Sequence, residues 1–241
     1  MANHLSSHLQ HIIVLFILIP IVLFQPYSCS VTTIVLLGAT GDLAQKYLWQ
    51  SVFDLFATER VDAGTRFYIY GAARQAAEPG RKNMQAILDT LTCSEEHYEN
   101  CDAMLNDFKS AVRYVQLKNE DQYAKLCNEL QARLMFSCKY HDHKEDVCYK
   151  NKVEAIENGR LFYLSVPPSA YGTVSTFISR HCRPKQPKSW LRVVVEKPFG
   201  HDYASALALN GQLARHLSED EIYRIDHYLG KSVVQNILPF R

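Results

Sequence analysis

The segment RIDHYLGK, residues 224–231, brings a carboxylate, an imidazole, a phenol and an ammonium within six positions: Asp226, His227, Tyr228 and Lys231. If a helix begins there, His227 and Lys231 stand at i, i+4 on one face, with Tyr228 and Lys231 at i, i+3. Three such groups at one edge make a compact seat for a phosphate monoester dianion. Asp226 repels that ligand, so its role is to orient and charge-balance a histidine, as carboxylates do beside general bases.

Two further stretches bear chemistry. In EKPFG (196–200), Lys197 follows an apolar run and stands where parallel sheets bind ligands, at a strand's carboxyl end. Pro198 suits a constrained, cis-capable peptide that fixes the lysine's direction; a solvated lysine in a plain strand-end turn is the competing reading. In GATGDL (38–43), Gly38, Ala39, Thr40, Gly41, Asp42 and Leu43 link a β-rich run to a helical one. Gly38 and Gly41 let a backbone approach a pyrophosphate at a helix N-terminus. The pattern is GxxG rather than GxGxxG, and a simple strand–helix corner also accounts for it. The next strand ends in YIYGAARQ, with no acid for a ribose hydroxyl but with Arg74, whose forked cation suits a 2′-phosphate. Taken alone, Arg74 also reads as a solvated surface residue. Together these features point to a dinucleotide cradle, with NADP favoured and NAD possible.

An alternating series of elements must position these groups. Strands are expected at 31–37, 66–71, 111–117, 160–166, 190–197 and 221–226. Helices fall between them, the first with Leu43, Tyr47, Leu48, Val52, Leu55 and Phe56 on its apolar face. RKNMQAILDTL and SEEHYENCDAMLNDF read as surface helices, the second capped by Ser94. DQYAKLCNELQARLMF is a helix with Tyr123, Leu126, Leu130 and Leu134 inward, and two more run through SAYGTVSTFISRHC and DYASALALNGQLARHL. WLRVVVEK has the continuous apolar centre of a strand covered on both faces. The fold class is therefore α/β, a Rossmann-like, doubly wound, mainly parallel sheet with right-handed crossovers.

With 241 residues, 47% of them hydrophobic, the chain can bury a large core. A net charge of +1 with mixed signs argues against a nucleic-acid surface. The apolar run Ile12–Phe24 spans 13 residues, about 20 Å of helix against a ~30 Å hydrocarbon core. A cleaved secretory signal fits it better than an anchor, and any membrane contact is confined to an uncleaved form of that segment. The seven cysteines form no CxxC pair; free buried thiols are the favoured reading, with Cys138–Cys148 a pairing that would close a short loop. HDHKEDVC (141–148) reads as a solvated loop in preference to a zinc cluster, so no metal is expected.

GATGDL, EKPFG and RIDHYLGK, in this order, resemble the glucose-6-phosphate dehydrogenase family, and with the apolar leader the chain is most similar to its luminal, endoplasmic-reticulum branch. The resemblance covers roughly 31–241. It implies NADP-linked oxidation of a hexose 6-phosphate at C1 to the 6-phospho-δ-lactone, the first step of the pentose phosphate pathway. It assigns Gly38 to Leu43, Arg74, Tyr163 and Lys197 to the cofactor. Lys197, His227, Tyr228 and Lys231 fall to the sugar phosphate, with Asp226 pairing the catalytic histidine. It divides the chain into a signal or anchor (1–30), the NADP-binding domain (31–228) and the start of a second domain (229–241), and implies that full-length members form homo-oligomers. Gln45 stands where members often carry lysine, and Ser232 where cytosolic members have glutamate. In the family the proton-accepting histidine and the second, α+β domain lie beyond this motif, so a partial chain with negligible turnover of its own is expected. The alternative is a noncatalytic NADP-binding or dimerising module. The spacing Tyr114/Lys118 matches the Tyr-x-x-x-Lys pair of short-chain dehydrogenases, but falls on a strand and its end and is rejected.

Overall fold

The computed structural model describes residues 30–61, 65–96, 98, 100–137 and 157–226. The apolar leader, the 141–148 stretch, Cys29, Cys138, Cys148, and His227, Tyr228 and Lys231 lie outside the described residues.

Six strands form one sheet: β1 (Ser30–Leu37), β2 (Thr65–Ala73), β3 (Val112–Gln116), β4 (Glu157–Leu164), β5 (Ser189–Glu196) and β6 (Ile222–Ile225). Their spatial order is β3-β2-β1-β4-β5-β6, and every neighbouring pair is parallel. The expected doubly wound sheet is thus present, with its topological switch between β1 and β4. β1, built of VTTIVLL, lies at the centre and is buried along its length beyond Ser30. Such a strand must be apolar or β-branched on both faces because helices cover each side.

The helices are α1 (Trp49–Val61), α2 (Ala77–Leu88), α3 (Cys101–Ala111), α4 (Glu120–Ser137), α5 (Tyr171–His181) and α6 (Tyr203–Ala214). Strand alternation splits the core into two layers. Ile34 and Leu36 pack with Trp49, Phe53, Met84 and Phe108 under α1–α3; Val35 and Leu37 pack with Tyr123, Leu126, Ile178 and Leu213 under α4–α6. Phe53 and Phe108 are fully buried, 5.4 Å apart and edge to face. Truncating such a residue to alanine costs roughly 3–5 kcal/mol.

Three local expectations are corrected. A π turn at Ala44–Leu48 precedes α1 and shifts its phase, so Trp49 and Phe53 are fully buried while Tyr47 is 36% exposed. The helix expected from Ser94 starts instead at Cys101, after Asn100 in the left-handed region (φ 57°). The described residues before it form a loop held by a Cys93–Cys101 disulfide and by Tyr98 packing edge-on against Phe53. The preference for free thiols is also overturned, because a second disulfide, Cys127–Cys182, joins α4 to the residue after α5. The Cα separations, 5.5 and 5.1 Å, lie in the range a disulfide requires.

Among the described residues no helix is long and apolar enough to cross a membrane, and no group of three or more His, Cys, Asp or Glu is placed to hold a metal.

Candidate functional site

β1 runs into the glycine turn, and the turn is fixed from three sides. The Gly38 and Ala39 N–H groups both donate to the Ala72 carbonyl at the end of β2, at 2.8 and 3.1 Å. Gly41 N–H donates to the Gly38 carbonyl at 2.9 Å. Beneath the turn Ala39 is fully buried, and its carbonyl accepts the Trp49 indole N–H at 2.8 Å. Gly38 has φ +79°, and a Cβ there would lie 1.9 Å from the Ser165 carbonyl oxygen. Glycine is therefore required, both for the left-handed backbone and for the close approach of the loop after β4. Gly41 has an ordinary backbone; its missing side chain leaves space above the turn.

That space is a cavity of about 660 Å³, within the ~300–1,000 Å³ usual for small-molecule sites. It lies across the carboxyl ends of β1, β2, β3 and β4, the crevice where open α/β sheets take ligands. Gly38, Thr40 and Gly41 line it, while Ala39 lies below, Asp42 is exposed and Leu43 packs on the α1 core. Tyr123, Val174 and Phe177 build an apolar wall, with the Tyr123 and Phe177 rings 5.4 Å apart. Arg74 is exposed at the far rim, and its carbonyl is held by the Gln116 amide at 3.0 Å. Lys118 lines the same rim.

Tyr163 is turned the other way. Alternation along β4 points it toward α1, where it is 7% exposed and packs in the first core layer, not among the residues lining the cavity. Its hydroxyl donates to Glu196 Oε1 at 2.5 Å. Burial, followed by the neighbouring Glu196 carboxylate, pushes the Tyr163 phenol well above its usual pKa, so it remains a neutral donor.

A second rim is formed where β5 and β6 end. The Tyr171 hydroxyl, from the first residue of α5, donates to the Glu196 carbonyl at 3.1 Å and accepts from the Glu196 N–H at 3.2 Å. The next residue, Lys197, donates its N–H to the Ile225 carbonyl at 3.0 Å and precedes a cis peptide to Pro198. Its ammonium reaches Asp226 Oδ2 at 3.5 Å. The structure thus brings Lys197 and Asp226 together at the carboxyl edge of the sheet.

Several contributors carried no signal in the sequence. Ser165, Ser169, Thr173 and the aromatic wall belong to loops and helix faces that only the sheet order gathers. Lys118 had been weighed only as half of a Tyr-x-x-x-Lys pair; its place just past β3, the strand paired to β2, could have flagged it as a neighbour of Arg74.

The likeness to known proteins agrees with this geometry. Residues 35–236 match the family described as "Glucose-6-phosphate dehydrogenase, NAD binding domain". The chain is 42% identical over 211 residues to the "GDH/6PGL endoplasmic bifunctional protein" of Oryctolagus cuniculus, covering 87% of this chain and 24% of that protein. It is 34% identical over 215 residues to the chloroplastic glucose-6-phosphate 1-dehydrogenase of Solanum tuberosum, covering 88% of this chain and 33% of the relative. A solved glucose-6-phosphate dehydrogenase in complex with glucose 6-phosphate superposes with a TM-score of 0.64 at 31% identity, over 90% of this chain and 41% of that one. The chain spans about a quarter to a third of the length of these curated relatives. With most of its length matched by the family's dinucleotide-binding domain, the chain belongs to the glucose-6-phosphate dehydrogenase family.

Proposed function

We propose that this chain holds NADP in the crevice above the glycine turn and serves the oxidation of a hexose 6-phosphate at C1 to its δ-lactone, in the lumen of the endoplasmic reticulum. The observation that carries the reading is Arg74 at the rim of that crevice, at the end of β2, where a NAD site would present a carboxylate. The donor set fits the cofactor. Gly38 and Gly41 leave room for a pyrophosphate at the start of a helix, the Tyr123–Phe177 wall suits a flat base, and Arg74 suits a 2′-phosphate. When bound, the nicotinamide supplies a hydride acceptor.

The chain's own residues serve binding and positioning. Lys197, held by Ile225 and Asp226, presents a cation to the sugar-phosphate rim, and Glu196 is locked in place by Tyr163 and Tyr171. Asp226 orients a catalytic histidine, while His227, Tyr228 and Lys231 grip the 6-phosphate. Tyr163 serves the cofactor through Glu196, as a positioning residue. The luminal assignment is supported by the endoplasmic relatives, by the Ile12–Phe24 stretch and by two disulfides, which persist in oxidising compartments.

The test is equilibrium binding of NADP and NAD to the purified chain and to Arg74→Ala. NADP should bind the unaltered chain more tightly, and the variant should lose most of that preference. Equal affinity for both cofactors before and after the substitution would refute the assignment.

A further inference from the structure

We infer that Lys118 is the second cation of the 2′-phosphate seat, acting beside Arg74 to set the preference for NADP over NAD; the inference rests on the dinucleotide reading above. The two residues are brought together by strand pairing. β2 and β3 run in parallel with Ala73 opposite Gln116, and Leu117 N–H donates to the Ala73 carbonyl at 2.9 Å. The Gln116 side-chain amide donates to the Arg74 carbonyl at 3.0 Å. Arg74 and Lys118 therefore leave the sheet just past its last rungs, both exposed and both lining the same cavity.

The backbone carrying Lys118 is fixed, and the residue lines the crevice. Its N–H donates to Gln122 Oε1 at 2.6 Å, and the Gln122 amide donates to Gln116 Oε1 at 3.2 Å. Asn119 Oδ1 accepts the Gln122 N–H at 3.2 Å, closing the first turn of α4 on itself. Some other surface cations are taken up by carboxylates: Lys109 by Asp89, Arg180 by Glu120, Arg183 by Glu221. Neither Arg74 nor Lys118 forms an ion pair with a described carboxylate. Glu120, close in sequence to Lys118, is engaged by Arg180 and His181.

A phosphate monoester dianion carries nearly two charges and three strong acceptor oxygens. One guanidinium satisfies two oxygens through its fork, and a compact ammonium beside it takes the third oxygen and the remaining charge. A neutral ribose 2′-hydroxyl gains little from the ammonium. Lys118 therefore discriminates, whereas a cation facing the pyrophosphate would favour both cofactors alike.

The experiment uses the full 241-residue chain and measures calorimetric affinity for 2′,5′-ADP and 5′-AMP, at low and at near-physiological salt. Lys118→Ala should weaken 2′,5′-ADP about tenfold at low salt, with 5′-AMP within about twofold. Lys118→Arg should retain affinity, and matching thermal melts show that the fold is kept. An equal loss for both nucleotides would make Lys118 a contact of the 5′-phosphate they share and overturn the inference, as would no loss at all. If Arg74→Ala costs affinity and Lys118→Ala does not, the inference alone fails. If the unaltered chain binds the two nucleotides equally and Arg74→Ala changes nothing, the NADP reading fails and takes the inference with it.

Discussion

The Lys197 ammonium lies 3.5 Å from Asp226 Oδ2, so the residues that follow β5 and β6 are joined across the sheet's carboxyl edge by an ion pair. The lysine side chain is 57% exposed and the aspartate 25%, which makes the pair worth under about 1 kcal/mol of stability. Its importance is for ligands: Asp226 shares the lysine's charge with any anion that arrives. Asp226→Asn is expected to tighten glucose 6-phosphate binding several-fold, and Lys197→Met to weaken it about tenfold, with melting temperatures nearly unchanged. Calorimetric titration of the three proteins checks this; an Asp226→Asn variant that binds the sugar phosphate more weakly would reverse the assigned electrostatics.

Gly38 and Gly41 should respond differently to alanine. At Gly38 a Cβ meets a backbone carbonyl at 1.9 Å on a left-handed backbone, so β1 and the loop after β4 must separate. A loss of about 3 kcal/mol or more in unfolding free energy is expected. At Gly41 the nearest atom is the Gly38 carbonyl oxygen at 3.2 Å and the backbone is ordinary. Gly41→Ala should fold with a nearly unchanged denaturation midpoint yet bind NADP at least tenfold more weakly. Denaturant titration beside cofactor titration separates the two, and equal destabilisation would contradict the geometry.

The alternation of strands and helices, the glycine turn, and the places of Arg74 and Lys197 at strand ends were legible because each depends on local chemistry: β-branched runs, a glycine pair, a charged residue after an apolar run. What failed depended on the third dimension or on a subtle change of phase. The helix expected over RKNMQAILDTL begins earlier, at Ala77, because Pro79 falls in its first turn, where no amide N–H is needed. The π turn at 44–48 adds a residue per turn, and it exchanged the expected Tyr47 contact for Trp49 and Phe53. Both disulfides were missed because the spacing of cysteines does not encode pairing; Cys127 and Cys182 are 55 residues apart and meet only once α4 and α5 pack. The resemblance assigns Tyr163 to the cofactor; side-chain alternation along β4 turns it toward α1, and its proposed role runs through Glu196.

Among the described residues, the Cys127–Cys182 link closes the larger of the two disulfide loops. Closing a loop of this length restricts the unfolded chain by about 4 kcal/mol on the chain-entropy account, against about 2.5 kcal/mol for Cys93–Cys101, whose partners are 8 residues apart. Removing the longer link in a Cys127→Ala, Cys182→Ala double variant should therefore lower the unfolding free energy more than removing the shorter one. Urea denaturation of the two double variants, with peptide mapping of the unreduced chain, tests the order. The reverse order, or reduced thiols at these positions, would contradict it.

Acid should loosen the seam between α4 and α5. Hydrogen bonds from His181 and then Arg180 hold the Glu120 carboxyl below its ordinary value, and Lys109 does the same for Asp89. A depressed folded pKa means that the unfolded chain takes up the proton first as pH falls. The stabilisation is complete above the ordinary carboxylate range of about 4 and disappears as pH drops through the lower folded values. Melting temperature should decline between about pH 5 and 3, less steeply in Glu120→Gln, and the difference should shrink in high salt because these groups are exposed. An unaltered acid slope in Glu120→Gln would show that the seam contributes nothing.

Tyr171 has a further consequence. Its hydroxyl clasps the Glu196 peptide on both sides, and it opens the helix that supplies Thr173, Val174 and Phe177 to the crevice. On the proposed function, one phenol thus links the crevice assigned to the dinucleotide with Lys197, assigned to the sugar phosphate. Hydride transfer tolerates little error in the spacing of the two ligands. Natural drift at Tyr171 would be felt by both ligands together, whereas the aromatic wall and the two rims can each vary without disturbing the distance between them.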